Sequence, residues 1–339
     1  MRALVLEEFG GPLIPRELDV PAIDPHEALV RVRNVGVCGT DLKIRAGRMG
    51  LDVLPLIMGH EIAGEVAEVG SEVQGFAAGD RVAVNFYVTC GACRYCRQGR
   101  DTLCPNMRQH GFSRDGGFAE YMKTPGVNLC KLPDNVPLDK ACILGDAVAT
   151  SYHAVTKKAR IDPGTTVALV GVGGVGLHAL QMAKLAGGWT IAIDVNQDRL
   201  NLARKLGADA VIDAKQGPFH EEVRRLTGGE GADVVMEFVS NEDTLPSSYR
   251  SLRRGGRLVF VGYVPELPMS LMPHEMVRNE YEFLGSRANS KQELEETVAL
   301  VSQGKIEPVV DRVFSLEDVE EAFDALREGR SLGRNVVAV

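Results

Sequence analysis

The pattern of apolar and polar positions divides the chain into two regions of different texture. Through about residue 145, short β-rich runs such as EALVRVRNVGVC, EIAGEVAEVG and GDRVAVNF are separated by glycine-containing turns. These runs predict an antiparallel, barrel-like domain. From about residue 165, apolar runs alternate with helical periodicity, as in TVALVG followed by VGLHALQMAKLAG. This alternation predicts about six parallel strands joined by helical crossovers.

The predicted fold class is therefore α/β, with two domains. We place a mostly-β domain at residues 1–150 and a doubly wound parallel-sheet domain at residues 151–286. The remaining residues, 287–339, contain two helical patterns and the apolar ending GRNVVAV. We expect this segment to return to the first domain and complete it.

Composition and charge argue against two classes of binding partner, nucleic acids and anionic membranes. The 339 residues are 45% hydrophobic and 25% charged, with a formal net charge of -8 and no basic cluster. Nucleic acids and anionic membranes attract clustered positive charge, so neither partner is expected. Glu7 and Glu8 stand where a signal peptide needs an apolar stretch, and no apolar run is long enough to span a bilayer. The expected location is the cytoplasm.

Four of the seven cysteines lie close together in the stretch CGACRYCRQGRDTLC: Cys90, Cys93, Cys96 and Cys104. Four thiolates at such spacing form a tetrahedral zinc site that leaves no coordination position open to a substrate. The pattern therefore predicts a structural zinc. A disulfide pair and an iron–sulfur cluster are the alternatives, and the absence of any sign of secretion disfavours the disulfide.

A glycine-rich turn predicts a dinucleotide site. Gly171, Gly173 and Gly176 satisfy the G-x-G-x-x-G pattern directly after the apolar run TVALV and directly before a helical pattern. Asp194 ends the next predicted strand, where a carboxylate accepts hydrogen bonds from ribose hydroxyls and repels a 2′-phosphate. NAD is therefore favoured, with NADP as the alternative because Arg199 lies nearby. Further candidates for cofactor contacts are Gly174, Val175 and Arg199.

A second set of possible metal ligands is dispersed along the first domain. Cys38 lies in GVCGTD, His60 and Glu61 lie in GHE, and Asp146 lies in LGDAVATSYHA. A thiolate, an imidazole and a carboxylate suit a zinc site with a fourth position for water or substrate. Taken singly, the same residues also suit a buried small side chain, a hydrogen-bonded core histidine and a helix-capping aspartate.

The whole chain resembles the zinc-dependent medium-chain alcohol dehydrogenase family. The motifs GVCGTD, GHEIAGEVAEVG, GDRV, the four-cysteine segment, DGGFAEY and GVGGVG occur in the family's order and at its spacing. The resemblance implies a GroES-like catalytic domain joined to a Rossmann domain. It also implies that Cys38, His60 and Asp146 bind a catalytic zinc, while Glu61 approaches the metal as a ligand exchanges. Asp41 is then the partner that orients the His60 imidazole.

The resemblance further implies a route for the substrate proton. Thr40 matches the hydroxyl that passes this proton on, and Thr150 matches a threonine beside the nicotinamide. Many relatives carry a histidine at the position of Lys43. Lysine is normally protonated at neutral pH, so Lys43 accepts a proton only if burial or a neighbour lowers its pKa. A solvated or cofactor-contacting lysine is the alternative.

These features imply an oxidoreductase that uses NAD and two zinc ions per chain, one catalytic and one structural. It would reversibly oxidise a primary or secondary alcohol, so its partner would be a small alcohol or carbonyl compound. Polyol, amino-alcohol and hydroxyacyl-thioester dehydrogenases share this machinery and are alternatives. A non-enzymatic NAD-binding structural or sensor protein would have no physical need for the catalytic zinc set. Residues of mixed character are candidates for the substrate pocket: Arg48, Met49, Phe86, Tyr87, Arg287 and Asn289.

The resemblance also implies a homotetramer or a homodimer. Members of similar length form such assemblies, usually through the edge of the Rossmann sheet. The apolar stretch GRLVFVGYVPELPMSLMP is the candidate contact segment.

Overall fold

The computed structural model describes residues 1–339 and divides into two compact units. The first comprises Met1–Ala149 and Asn289–Val339, and the second comprises Thr150–Ala288. The C-terminal segment thus belongs to the first unit. No helix is both long enough and apolar enough to cross a membrane.

Eighteen strands occur along the chain, many of them short. They are β1 (Arg2–Leu6), β2 (Leu13–Glu17), β3 (Glu27–Val37), β4 (Leu56–Ile57), β5 (Glu61–Val69), β6 (Arg81–Val84), β7 (Tyr87–Val88), β8 (Arg108–Gln109), β9 (Tyr121–Pro125), β10 (Leu129–Lys131), β11 (Thr166–Val170), β12 (Trp189–Asp194), β13 (Ala210–Asp213), β14 (Ala232–Glu237), β15 (Leu252–Phe260), β16 (Glu282–Gly285), β17 (Val310–Ser315) and β18 (Arg334–Ala338).

Ten α-helices accompany the strands. They are α1 (Gly39–Arg45), α2 (Leu138–Ala141), α3 (Ala147–His153), α4 (Gly176–Leu185), α5 (Gln197–Lys205), α6 (Phe219–Leu226), α7 (Thr244–Arg250), α8 (Pro273–Asn279), α9 (Lys291–Ser302) and α10 (Val319–Arg327). A π-helical turn, Ala154–Ala159, continues α3.

The first unit is built on a seven-stranded sheet in the order β10-β6-β5-β3-β18-β17, with β9 also paired to β3. A three-stranded sheet, β2-β1-β4, and the β7–β8 pair complete it. All strand pairs among β1–β10 are antiparallel, as predicted for this part of the chain. In the C-terminal segment, β17 and β18 are parallel. The helix α10 lies between them in the chain and supplies the crossover that a parallel pair requires.

The second unit is a six-stranded parallel sheet in the order β13-β12-β11-β14-β15-β16. Its strands are almost continuously apolar because helices cover both faces of such a sheet. Fully buried side chains include Ala168, Ile191 and Val235. The strand order reverses at β11, and this is where dinucleotide sites form in doubly wound sheets.

Strand register in the first unit brings distant parts of the sequence together. Gly36 near the end of β3 pairs with Glu61 at the start of β5, so the residues flanking these positions are neighbours. On the other side of β3, Val37 pairs with Asn335 of β18. The end of β3, the start of β5 and the start of β18 therefore lie together at one end of the strands.

Candidate functional site

The dispersed ligand candidates lie together at that end of the strands. One ligand atom each from Cys38, His60, Glu61 and Asp146 lies within 4.8 Å of the others, and all four residues are buried. The Oδ2 atom of Asp146 is 3.6 Å from both Cys38 Sγ and His60 Nε2. Cys38 follows β3, His60 precedes β5, and Asp146 precedes α3. The pairing of β3 with β5 brings Cys38 close to His60 and Glu61, and the hydrogen bond from the backbone N–H of Ala147 to Glu61 Oε1 holds Asp146 beside them.

Asp41 orients the His60 imidazole. It lies in the first turn of α1, where its Oδ2 atom accepts a hydrogen bond of 2.8 Å from the backbone N–H of Cys38. Its Oδ1 atom lies 3.1 Å from His60 Nδ1. An ionised carboxylate only accepts, so Nδ1 carries the proton and Nε2 faces the other ligand candidates. Burial alone lowers the pKa of His60, but the Asp41 and Asp146 carboxylates outweigh burial and raise it well above its ordinary value.

Arg334 is a member of the site that sequence reasoning missed. Its Nη2 atom donates a 2.7 Å hydrogen bond to Glu61 Oε1 and lies 3.5 Å from Asp146 Oδ2. Glu61 Oε1 also accepts from the backbone N–H of Ala147, whereas Glu61 Oε2 has no partner. Burial, with a contribution from Asp146, raises the pKa of Glu61. The available signal was an arginine opening the C-terminal strand, which ends in apolar residues.

The donor set fits a divalent cation. Carboxylates of Asp41, Glu61 and Asp146 surround His60 in a buried space, and Arg334 is the cation that contacts two of them. Buried negative charge is costly unless it is paired or binds a metal. A thiol, an imidazole and carboxylates are the ligand types found in catalytic zinc sites. The Glu61 Oε2 atom has no hydrogen-bond partner, so it is a further oxygen that could bind the metal.

Aromatic rings pack around the imidazole. The ring centroids of Phe86 and Phe112 both lie 5.1 Å from that of His60. Tyr87 packs against Phe86 with centroids 4.4 Å apart. All three aromatic residues are buried. Phe86 and Tyr87, predicted as pocket residues, therefore form part of an apolar wall beside the ligand candidates.

Thr40 and Lys43 lie three residues apart on α1, so both side chains occupy one face of the helix. The backbone N–H of Thr40 donates to Cys38 Sγ over 3.5 Å. Burial, with a contribution from Arg48, lowers the pKa of Lys43 against the opposing effect of Cys38. A lowered pKa is what Lys43 needs in order to accept a proton near neutral pH.

The four-cysteine segment folds into a separate cluster. The ligand atoms of Cys90, Cys93, Cys96 and Cys104 all lie within 4.8 Å of one another. The pairs Cys93–Cys96 and Cys90–Cys104 have sulfur atoms 3.5 Å apart, far beyond the length of about 2.05 Å of a disulfide bond. Backbone N–H groups of Ala92 and Cys93 lower the pKa of Cys90 to about 6. Four converging thiols of this kind suit a closed tetrahedral site.

The glycine-rich turn joins β11 to α4 in the second unit. Gly171 has a φ of 89°, a conformation that residues with a side chain rarely adopt. Gly174 and Val175 accept side-chain hydrogen bonds on their carbonyl groups, from His178 and Ser151 respectively. Backbone N–H groups at the start of α4 are available to an anion, as in other helices that follow such turns.

Asp194 lies at the end of β12, beside this turn. Its Oδ2 atom accepts from the backbone N–H of Val172 and its Oδ1 atom from that of Asn196, both over 2.9 Å. Arg199 Nη1 is 3.8 Å from Asp194 Oδ1 and 4.0 Å from the position of a Cβ atom built on Gly173. Thr150 is buried on α3 in the same unit. The structure thus places Asp194 and Arg199 at the predicted cofactor site.

Comparison with known proteins agrees with this geometry. Residues 24–134 match the family profile of the alcohol dehydrogenase GroES-like domain, and residues 174–303 match that of the zinc-binding dehydrogenases. The chain is 37% identical to an NAD-dependent alcohol dehydrogenase of Sulfolobus acidocaldarius, over the full length of both chains. It belongs to the zinc-dependent medium-chain alcohol dehydrogenase family.

Other members of this family support the same conclusion. An alcohol dehydrogenase of Geobacillus stearothermophilus is 37% identical over the full length of both chains. The crystal structure of an alcohol dehydrogenase from Aeropyrum pernix superposes with a TM-score of 0.94, at 38% identity and full coverage of both chains. The predicted family and the predicted combination of GroES-like and Rossmann domains are confirmed.

Proposed function

We propose that this protein reversibly oxidises a primary or secondary alcohol to an aldehyde or ketone, transferring the hydride to NAD in a zinc-dependent reaction. The observation that carries the proposal is the convergence of Cys38, His60, Glu61 and Asp146 in a buried cluster. Membership of a family of zinc-binding dehydrogenases supports it, as does the name NAD-dependent alcohol dehydrogenase of a full-length relative.

We assign Cys38, His60 and Asp146 as the ligands of the catalytic zinc. When bound there, zinc supplies the Lewis acidity that makes the hydroxyl of an alcohol more acidic. Glu61 would be a further carboxylate ligand for that metal, and Arg334 donates a 2.7 Å hydrogen bond to its Oε1 atom. The aromatic wall beside His60 keeps bulk water away from the ligands.

Thr40 is the proposed first acceptor of the alcohol proton, and Lys43 is the proposed next group. A lysine accepts a proton only while it is neutral, and burial lowers the pKa of Lys43. We therefore expect alcohol oxidation to become faster as the pH rises through that pKa. The Lys43→Ala variant should lose this step of the pH–rate profile. An unchanged profile would remove Lys43 from the relay.

NAD is the proposed cofactor, and its nicotinamide accepts the hydride when it is bound. Backbone groups of the turn Gly171–Gly176, including Gly173, Gly174 and Val175, would contact the pyrophosphate. Asp194 would accept from the ribose hydroxyls, Arg199 would contact the same ribose, and Thr150 would lie against the nicotinamide. The negative charge of Asp194 favours NAD over NADP.

The second proposed metal is a structural zinc bound by the four cysteines of the contiguous cluster. Four thiolates fill a tetrahedral site, so this zinc would hold the loop together and take no part in the reaction. The ligand atoms, all within 4.8 Å of one another, support the assignment.

We also propose that the protein is a cytoplasmic homodimer or homotetramer. None of the seven cysteines forms a disulfide, as expected in a reducing compartment. The strand β16 has no further partner on one edge, and Val277 and Met272 nearby in the chain are exposed. Sedimentation of the purified protein would measure the mass, and a monomer would contradict the proposed assembly.

The deciding experiment measures the appearance of reduced nicotinamide with NAD, and separately with NADP, across primary, secondary, polyol and acidic alcohols. We expect turnover with NAD and neutral alcohols, loss of turnover when zinc is removed, and recovery when zinc is restored. Full activity after verified loss of zinc from a folded protein would overturn the proposal. Equal efficiency with NADP would overturn the assigned role of Asp194.

A further inference from the structure

The second unit contains a buried carboxylate that takes no part in the proposed reaction. Glu237 ends β14 and is fully buried. Its Oε1 atom accepts from the backbone N–H groups of Val239 and Ser240, over 2.9 and 2.8 Å. Its Oε2 atom accepts from Ser248 Oγ over 2.5 Å. Glu237 forms no ion pair. Burial raises the pKa of its carboxyl group, and hydrogen bonds from the following residues offset this effect only in part.

These hydrogen bonds hold a turn in an unusual conformation. Ser240 has a φ of 57°, in the left-handed region that serine seldom occupies. Its hydroxyl is tied to the carbonyl of Gly262 over 2.8 Å. The carboxylate of Glu237 therefore fixes the turn formed by residues 238–240, which we call the β14 turn.

The β14 turn packs directly on the glycine-rich turn. The backbone N–H of Phe238 donates to the carbonyl of Val170, the residue before Gly171, over 3.0 Å. A Cβ atom on Gly171 would lie only 2.5 Å from Val239 Cγ2, and one on Gly176 would lie 3.5 Å from Phe238 Cδ2. The glycine-rich turn thus rests against side chains whose positions depend on Glu237.

We propose that Glu237 is a positioning residue for the dinucleotide: by fixing the β14 turn, it holds the glycine-rich turn in the shape that binds the pyrophosphate. The inference rests on the proposed binding of NAD. A buried carboxylate without a cation is costly, and this one stabilises the segment that contacts the first and last glycines of the motif. Glu237 contacts none of the reacting groups, so its effect falls on cofactor affinity and not on the chemical step.

The test compares variants of the zinc-loaded protein by calorimetric titration with NAD. Glu237→Ala leaves the buried N–H of Ser240 and the partly buried N–H of Val239 without an acceptor and should raise the Kd for NAD roughly tenfold. Ser248→Ala removes one donor and should raise it about threefold. Glu237→Gln keeps an acceptor for both N–H groups and should stay near the wild-type value. At saturating NAD, kcat should change by less than about twofold in all three, so that the effect appears in KM.

Asp233→Ala is the matched control. Asp233 lies on the same strand and also accepts a backbone hydrogen bond, from Thr166 over 2.8 Å, but four residues before Glu237 and away from the glycine-rich turn. It should lose stability without changing the Kd for NAD. An increase in Kd as large as that of Glu237→Ala would overturn the proposal, since general destabilisation would then explain both.

The remaining outcomes separate this inference from the proposed function. A wild-type protein that binds no NAD would overturn the function. A wild-type protein that binds NAD, with unchanged Kd in Glu237→Ala, would overturn only the positioning role. If Glu237→Ala does not fold, Ser248→Ala decides, because a wild-type Kd in that variant would contradict the role of the anchored β14 turn.

Discussion

The two cysteine-containing clusters have opposite constructions. The contiguous cluster draws four identical ligands from residues 90–104, and Cys90 at its edge is exposed. The dispersed cluster draws a thiol, an imidazole and two carboxylates from three separate segments: the end of β3, the start of β5 and the start of α3. It is wholly buried and contacts a buried arginine.

This difference explains the different chemistry expected of the two sites. Four thiolates saturate a tetrahedral zinc, so a closed cluster can only stabilise the loop that carries it. The dispersed cluster holds more carboxylate oxygens than one metal needs, and Glu61 is held aside by Arg334. Glu61 would therefore be available as a further ligand to a metal bound by Cys38, His60 and Asp146. The four variants that follow test this division, from the largest expected effect to the smallest.

Replacing His60 with Ala should have the largest effect. It removes one of three proposed ligands, and kcat/KM should fall by about three orders of magnitude or more because the Lewis acidity is lost. The zinc content should fall from two ions per chain to one. Metal analysis and steady-state kinetics would measure both quantities. Two retained zinc ions together with near-normal kcat/KM would show that the dispersed cluster is not the catalytic site.

Replacing Arg334 with Leu should mainly reduce stability. It leaves Glu61 and Asp146 buried without their cation, and breaking such a pair costs about 3–5 kcal/mol. Because a bound metal partly balances the same carboxylates, the loss should be larger in the zinc-free protein. Denaturant unfolding of both forms would measure it, with Arg334→Lys as the charge-conserving control. Equal stability of Arg334→Leu and wild type would argue against the charge balance described here.

Replacing Cys96 with Ser should affect stability and leave catalysis intact. The contiguous cluster should lose its zinc, and the melting temperature should fall by about 2–4 °C for each kcal/mol lost. At low temperature, kcat per remaining zinc should stay within roughly twofold of wild type, since distant sites act independently. A loss of kcat comparable to that of His60→Ala would abolish the distinction between the two clusters.

The sequence predicted whatever depends on local pattern. The four cysteines lie within one loop, and the apolar runs after residue 165 correspond to the six parallel strands, although α6, α7 and α8 were not predicted. The sequence analysis did not identify Arg334 as a site residue because it lies 273 positions from Glu61. Only the pairing of β18 with β3 brings the two residues together. The parallel β17–β18 pair and the anchoring of the β14 turn by Glu237 likewise depend on tertiary contacts.

The smallest of the four effects is expected from Asp41→Asn, which leaves every proposed ligand in place. If the amide oxygen still accepts from the Cys38 N–H, the amide NH2 group faces His60 Nδ1–H and cannot accept its hydrogen bond, so the imidazole loses its orienting partner. Loss of such an orienting partner typically lowers zinc affinity by about 10- to 100-fold. Competition with a chelator would measure the affinity of each of the two sites.

Asp80→Asn is the control for this last variant. Asp80 lies in the same unit and also accepts a backbone hydrogen bond, from Ala77 over 2.9 Å, but it touches neither cluster. Asp41→Asn should weaken only the dispersed site, and Asp80→Asn should weaken neither. If Asp41→Asn also released zinc from the four cysteines, the two clusters would be energetically coupled. Their separate construction would then not imply separate function.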